Sequence, residues 1–190
     1  MRRAAAKTVI AFLVAILLPV LNAQTARQPQ SSPSAPAVEP SDAASPDAII
    51  AAVYDVISGP AGKKRDWDRF RSLFASGARL IPVVSSSQGA FRAVAMSPDE
   101  YATRGTPYFE RNGFYEREIA RKTERWGFIV EAFSTYESRH NRSDPTPFER
   151  GINSFQLFFD GSRWWIVTIM WQSETPSNPL APDFLPPPGK

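Results

Sequence analysis

The chain reads as an α+β domain in which two helices, two strands, a third helix and four strands follow in that order. Three observations carry this reading. Ser45-Pro46-Asp47 opens a run whose Ile49, Ile50, Val53, Val56 and Ile57 recur at helical spacing. Beyond Gly113 the pattern changes to long runs of aromatic and β-branched residues. Within that stretch Asp160-Gly161 separates two such runs, a strong hairpin signal.

Each element has its own start and stop. Ser45 is a natural N-cap, Pro46 suits the first helical position, and Asp47 favours the positive helix end. Gly59 and Pro60 end that helix. The segment "RDWDRFRSLF" predicts a second helix with Trp67, Phe70 and Phe74 on one face, stopped at Gly77. "ARLIPVV" predicts a strand, and Pro82 places it at a sheet edge because proline cannot donate to a ladder. "AFRAVAM" predicts a second strand. Ser97, Pro98 and Glu100 form a capping-box start for a third helix, which Gly105 and Pro107 are expected to break early. "FYEREIARKTERW", "GFIVEAFSTYESRHN", "RGINSFQLFF" and "RWWIVTIMWQSE" predict four long strands.

The flanks are of another kind. Arg2, Arg3 and Lys7 precede the apolar "TVIAFLVAILLPVL", and Leu21 and Ala23 close the run in the pattern a signal peptidase reads. The run is shorter than the roughly 20 residues that span a bilayer, and Pro19 interrupts it. The expectation is a signal peptide over 1–23, cleaved before Gln24, and a periplasmic or secreted location without a stable membrane anchor. Residues 24–45 are rich in Pro, Ser and Ala and lack aromatics, the composition of a disordered linker. The domain spans 46–175, and 176–190 form a Pro-rich tail whose Leu180, Phe184 and Leu185 could dock on it.

Charge excludes one class of partner. Residues 1–23 hold three of the 22 basic residues and none of the 19 acidic ones, so the remainder is balanced at 19 against 19. No nucleic-acid partner is expected from that balance. With no cysteine, disulfides, thiol chemistry and cysteine metal sites are excluded. No Gly-rich phosphate loop, G-x-S-x-G or H-E-x-x-H is present, and neither cofactor nor metal is expected.

The element order, together with "DGSRWWIVTIMW" and "GFIVEAFSTYESR", resembles the nuclear transport factor 2-like (SnoaL-like) superfamily over about residues 46–174. Asp160, Gly161, Trp164 and Ile166 match the final hairpin of that family. The resemblance implies a cone-like fold, with a curved mixed or antiparallel sheet wrapped around helices. It also implies a pocket inside the cone. Members include isomerases, dehydratases and cyclases as well as binding and dimerisation domains, so the fold does not choose a function.

By matching to that family, Ser134, Tyr136, Asn153, Phe155, Trp164, Ile166 and Thr168 are expected to line the pocket. A few polar groups among apolar walls suit a small apolar ligand, and the alternative is a filled core in which they satisfy one another. Trp165, Val167, Ile169 and Trp171 are expected on the opposite face, covered by a second copy or by the tail. His140, the only histidine, reads as an exposed rim residue, which counts against histidine-based dehydration. Glu116 and Glu118 share a face of their strand, but the charge alternation of "EREIARKTER" reads as solvated surface. The leading expectation is a non-enzymatic, exported, homodimeric domain that binds a small apolar ligand or serves in interaction. The alternative is a cofactor-free isomerase, lyase or cyclase using Tyr136 with Glu118.

Overall fold

Helix α1 (Pro46–Ile57) begins where its cap chemistry says it should: Ser45 accepts a 3.0 Å hydrogen bond from Ala48 N. Seven of its side chains are buried, Ile49 and Ile50 completely. At roughly 1.5–3 kcal/mol for each large apolar side chain removed from water, this helix anchors the core. The structure is a computed structural model that describes residues 38–85 and 89–187. The expected signal peptide (1–23), the linker up to residue 37 and the last three tail residues lie outside the described residues.

Beyond α1 come α2 (Trp67–Ser72), β1 (Phe74–Ser85), β2 (Phe91–Ala93), α3 (Pro98–Arg111), β3 (Tyr115–Trp126), β4 (Ile129–Arg139), β5 (Glu149–Phe159) and β6 (Trp164–Ser173). The strands form one six-stranded sheet in the order β2-β1-β6-β5-β4-β3. All neighbours are antiparallel except β1 and β6, which are parallel. The fold is α+β, with a mixed sheet and the helices against one face.

Several local expectations are corrected. Pro82 does not mark an edge: β2 lies outside β1, although it pairs only with Val83 to Ser85. Gly77 does not stop α2, which ends at Ser72. It sits instead inside β1 at φ +78°, where the pairing with β6 shifts register. Phe74 therefore belongs to β1 and not to the helix. Helix α3 runs through Gly105 and Pro107 to Arg111. Its capping box is formed, and Thr106 Oγ1 donates to Ala102 O at 2.7 Å inside the helix. At Gly105 a Cβ would lie 2.9 Å from the Phe109 ring, so any larger residue there would force that ring to shift. The end of the linker is ordered: Pro40–Ala43 form a 3₁₀ turn, Ala43 is buried, and Asp42 accepts from Arg69 Nε at 2.7 Å.

Two bulges matter for the site. Between Glu118 and Ala120 the β3–β4 register shifts, so Glu118 stands opposite Tyr136 and Arg121 opposite Ser134. Both side chains then share the helix-facing side although they are three residues apart. The same happens in β6, where Ile166 pairs with Leu157 and Thr168 with Gln156, leaving Val167 as the extra residue. Beyond Val167 the facing of every side chain is inverted relative to strict alternation.

The tail lies on the sheet's other face. Phe184 O accepts from Thr135 Oγ1 at 2.6 Å, and the Phe184 ring lies 5.9 Å from that of Phe133. Lys122 Nζ sits 4.5 Å above the Phe184 ring and 3.2 Å from Asp183.

Candidate functional site

A cavity of about 450 Å³ lies between α1, α3 and the helix-facing side of the sheet. Most of its wall is apolar or aromatic, with Val53 and Ile57 from α1, Leu80 from β1, and Phe155 and Ile169 from the centre of the sheet. The polar groups on the wall are Arg104, Glu116, Tyr136, Glu149 and Asn153, with the phenols of Tyr101 and Tyr108.

Glu116 is the best-built of these. It leaves β3 toward the cavity because its partner Ser138 faces the same way. Ser138 Oγ donates to Glu116 Oε2 at 3.0 Å, and Asn153 Nδ2 donates to Oε1 at 3.2 Å. Burial pushes its carboxyl up to about 7. The hydrogen bonds from Ser138 and Asn153 pull the other way, and the Glu149 charge adds to the rise. Near neutral pH this carboxyl exists in both protonation states.

The same Asn153 amide donates to Tyr54 OH at 3.1 Å, and Tyr54 OH lies 2.6 Å from Ser134 Oγ. Ser134 in turn donates to Glu118, whose Oε2 also accepts from Arg121 Nε at 2.8 Å. Ser134 has one proton and gives it to Glu118, so Tyr54 is the donor in the Tyr54–Ser134 bond. Burial raises the Tyr54 pKa, with Glu116 reinforcing the rise. The polar network is fully satisfied, which locks Glu116 in place.

Tyr136 belongs to a second group. Its hydroxyl donates to Glu149 Oε1 at 2.7 Å, and Ser173 Oγ donates to the same oxygen at 2.7 Å. The phenol reaches across β5 because residue 151 is glycine: a Cβ there would lie 2.7 Å from Tyr136 OH and 2.4 Å from Gln172 O. Burial raises the Tyr136 pKa, with the Glu149 charge adding to it.

The expected site residues divide accordingly. Tyr136, Asn153 and Phe155 stand on the cavity wall. Ser134 is buried behind it in the Tyr54–Glu118 network. Trp164 and Ile166 are buried in the core below the cavity and form no part of its wall. Thr168 is not on the wall either, while Ile169 and Trp171, expected on the outer face, are. The bulge at Val167 is the reason, since it turns Ile169 and Trp171 inward and leaves Thr168 and Met170 outside. Trp165 and Val167 remain off the cavity, and Val167 is 38% exposed.

The pairing of Tyr136 with Glu118 does not form through side chains: Tyr136 meets Glu149, and Glu118 meets Ser134 and Arg121. Nor do Glu116 and Glu118 form solvated surface. They turn toward the helix-facing side, where Ser138, Asn153 and Ser134 from β4 and β5 supply the donors a buried carboxyl requires. His140 is exposed, its ring stacked 4.2 Å from that of Phe148 and its Nδ1 3.0 Å from Gly113 O. Among the described residues no cluster of His, Cys, Asp or Glu is arranged to hold a metal ion.

Sequence reasoning missed Tyr54, Tyr101 and Glu149. Two of the three had a signal. Glu149 lies at even spacing before Asn153 and Phe155, so alternation would have turned it inward had the strand been extended by one residue. Tyr54 stands at helical spacing from Ile50 and Ile57.

Comparison with known proteins agrees with this architecture. No family model matches the chain, and no curated protein matches it. Among solved structures, one named as the β subunit of an aromatic-ring-hydroxylating dioxygenase from Novosphingobium aromaticivorans is 12% identical. The match covers 68% of this chain and 86% of that one, with a TM-score of 0.51. A protein of unknown function with a cystatin-like fold from Nostoc punctiforme is 14% identical, covering 70% and 90%, with a TM-score of 0.50. An NTF2-like protein of unknown function from Shewanella baltica is 13% identical, covering 67% and 89%, with a TM-score of 0.42. The chain shares its α+β fold with the cystatin-like protein and the dioxygenase β subunit. At these identities the likeness concerns the fold alone.

Proposed function

We propose that this is an exported protein whose folded domain holds a small, largely apolar ligand in the cavity between α1, α3 and the sheet. The observation that carries the reading is the cavity itself: about 450 Å³, walled by aromatic and aliphatic side chains, with a few convergent polar groups. That combination is the usual form of a small-molecule site. The test is to purify the protein from the exported fraction of its own host and examine it by native mass spectrometry. The expected result is an N-terminus at Gln24 and a retained small molecule that unfolding releases. A protein that starts at Met1 overturns the export reading, and one that carries and accepts no small molecule overturns the ligand reading.

A second reading, cofactor-free proton transfer, is favoured by one specific observation. Glu116 sits on the cavity wall with its carboxyl pushed up to about 7, where a general base or acid works best near neutral pH. In this reading Glu116 takes the place of Glu118 as the base, and the Tyr54–Asn153 pair positions it.

A further inference from the structure

Two carboxyls share the cavity wall. Glu149 raises the pKa of Glu116 through its charge, after the larger effect of burial, and both acids raise that of Tyr101 in the same way. Like charges placed together in a partly desolvated space are unfavourable unless a proton or a cation lies between them. Glu149 is also only half used. Its Oε1 accepts from Tyr136 and Ser173, while no hydrogen bond from a described residue reaches Oε2. The Tyr101 hydroxyl likewise has no hydrogen-bond partner among the described residues, although its ring is fixed by stacking 5.4 Å from Phe70 and edge-on 6.2 Å from Trp171.

The remaining wall presents aromatic rings: Tyr101, Tyr108, Phe114, Phe148 and Trp171. Ring faces attract cations, and more strongly where water is excluded. The one basic residue on the wall is Arg104, whose side chain is 58% exposed and whose guanidinium lies 3.8 Å from Glu100. Glu116 also borders a second cavity lined by Arg117, Arg121, Arg139 and Arg142, but among the described residues those of them that pair do so with Glu137, Glu118 and Asp47, and neither Glu116 nor Glu149 has an ion pair.

We propose that the ligand of this cavity is a small organic cation, a protonated or quaternary amine on an apolar body, with its charge held by Glu149 and Glu116 and its body against the aromatic wall. The inference rests on the reading of the cavity as a ligand site. An anion would meet two acids, and a neutral ligand would leave the open oxygen of Glu149 without a charged partner. A bare metal ion would find rings where it needs oxygen ligands.

The test is calorimetric titration of residues 24–190 with three probes of equal size and different charge: naphthylethylammonium, naphthylethanol and naphthylacetate. The expected result is that the ammonium binds roughly tenfold or more tightly than the alcohol, the scale of a desolvated cation–π contact, and that the acetate binds weakest. Glu149→Gln and Glu116→Gln, each checked for folding by circular dichroism, should shrink the ammonium-to-alcohol ratio while leaving binding of the alcohol in place. Equal or tighter binding of the alcohol by the unaltered protein overturns the cation while leaving the cavity a ligand site. So does a ratio that survives in both folded variants. Binding of none of the three probes overturns the ligand-site reading and this inference with it.

Discussion

Burial takes the titration of Glu116 out of the ordinary carboxyl range. Its folded-state pKa of about 7 lies above its ordinary value of 4.5, so between those pH values the folded protein holds a proton that the unfolded chain has released. Stability from this group is complete below about pH 4.5 and is lost as pH rises through 7, by up to about 3 kcal/mol. The groups facing it are Glu149, which repels its charge, and Ser138 and Asn153, which stabilise it. Glu137 works in the other direction and in another window. Its burial is outweighed by hydrogen bonds from Arg139 and Arg117, so its pKa is lowered and its contribution disappears in acid. Urea unfolding measured from pH 5 to 8 should show stability falling toward pH 8. In Glu116→Gln that fall should flatten, with the variant more stable than the unaltered protein at pH 8. An unchanged slope in the variant would assign the pH dependence elsewhere.

At the scale of elements, the site depends on irregularities in the strands. The bulge at β3 brings Glu118 and Arg121 to one face, and the bulge at β6 brings Ile166 and Ile169 to one face. Gly151 in β5 is the third such device, since only a residue without Cβ lets the Tyr136 phenol cross to Glu149. Gly151→Ala would press a methyl group against the Gln172 carbonyl as well as the phenol, and backbone cannot yield as a side-chain tip does. We expect a loss of about 1–3 kcal/mol, the usual cost of overpacking a filled site, read as a lower midpoint in chemical denaturation. Adding Tyr136→Phe should recover little of it, because the carbonyl clash remains. Full recovery in the double variant would place the whole constraint on the phenol.

On the scale of the whole molecule, the outer face of the sheet is only partly covered. The tail rests on Phe133 and Thr135, while Trp126 stays 81% exposed, Phe128 67% and Ile129 58%. Val167 and Met170 on β6 are also exposed. Monomers rarely leave an apolar patch of this kind in water. We propose that a second copy covers it across a two-fold axis, with the tail closing the part over β4. Sedimentation of residues 24–190 should give a dimer, and removal of 176–190 should increase association by uncovering Phe133. A full-length protein that stays monomeric at high concentration would reject the dimer. A truncated form that alone associates would assign the covering role to the tail.

The sequence by itself determined the element order and the fold class, because caps, turn residues and hydrophobic periods act within a few residues of one another. Ser45, the Ser97–Glu100 box and Asp160-Gly161 could be read without knowing what they pack against. Three residues of the wall, Tyr136, Asn153 and Phe155, were reached through the family resemblance. Tertiary structure decided the rest. That α3 continues through Gly105 and Pro107 to Arg111 is decided by its packing in the fold and not by its local residues. Which way Thr168 and Ile169 face depends on one unpaired residue, and an inserted residue inverts the period-two rule for everything after it. Whether the acids of "EREIARKTER" meet water or a cavity depends on donors that arrive from β4 and β5, 16 to 37 residues away in the chain. Local sequence carries propensity and period, whereas burial and charge belong to partners brought together only by the folded chain.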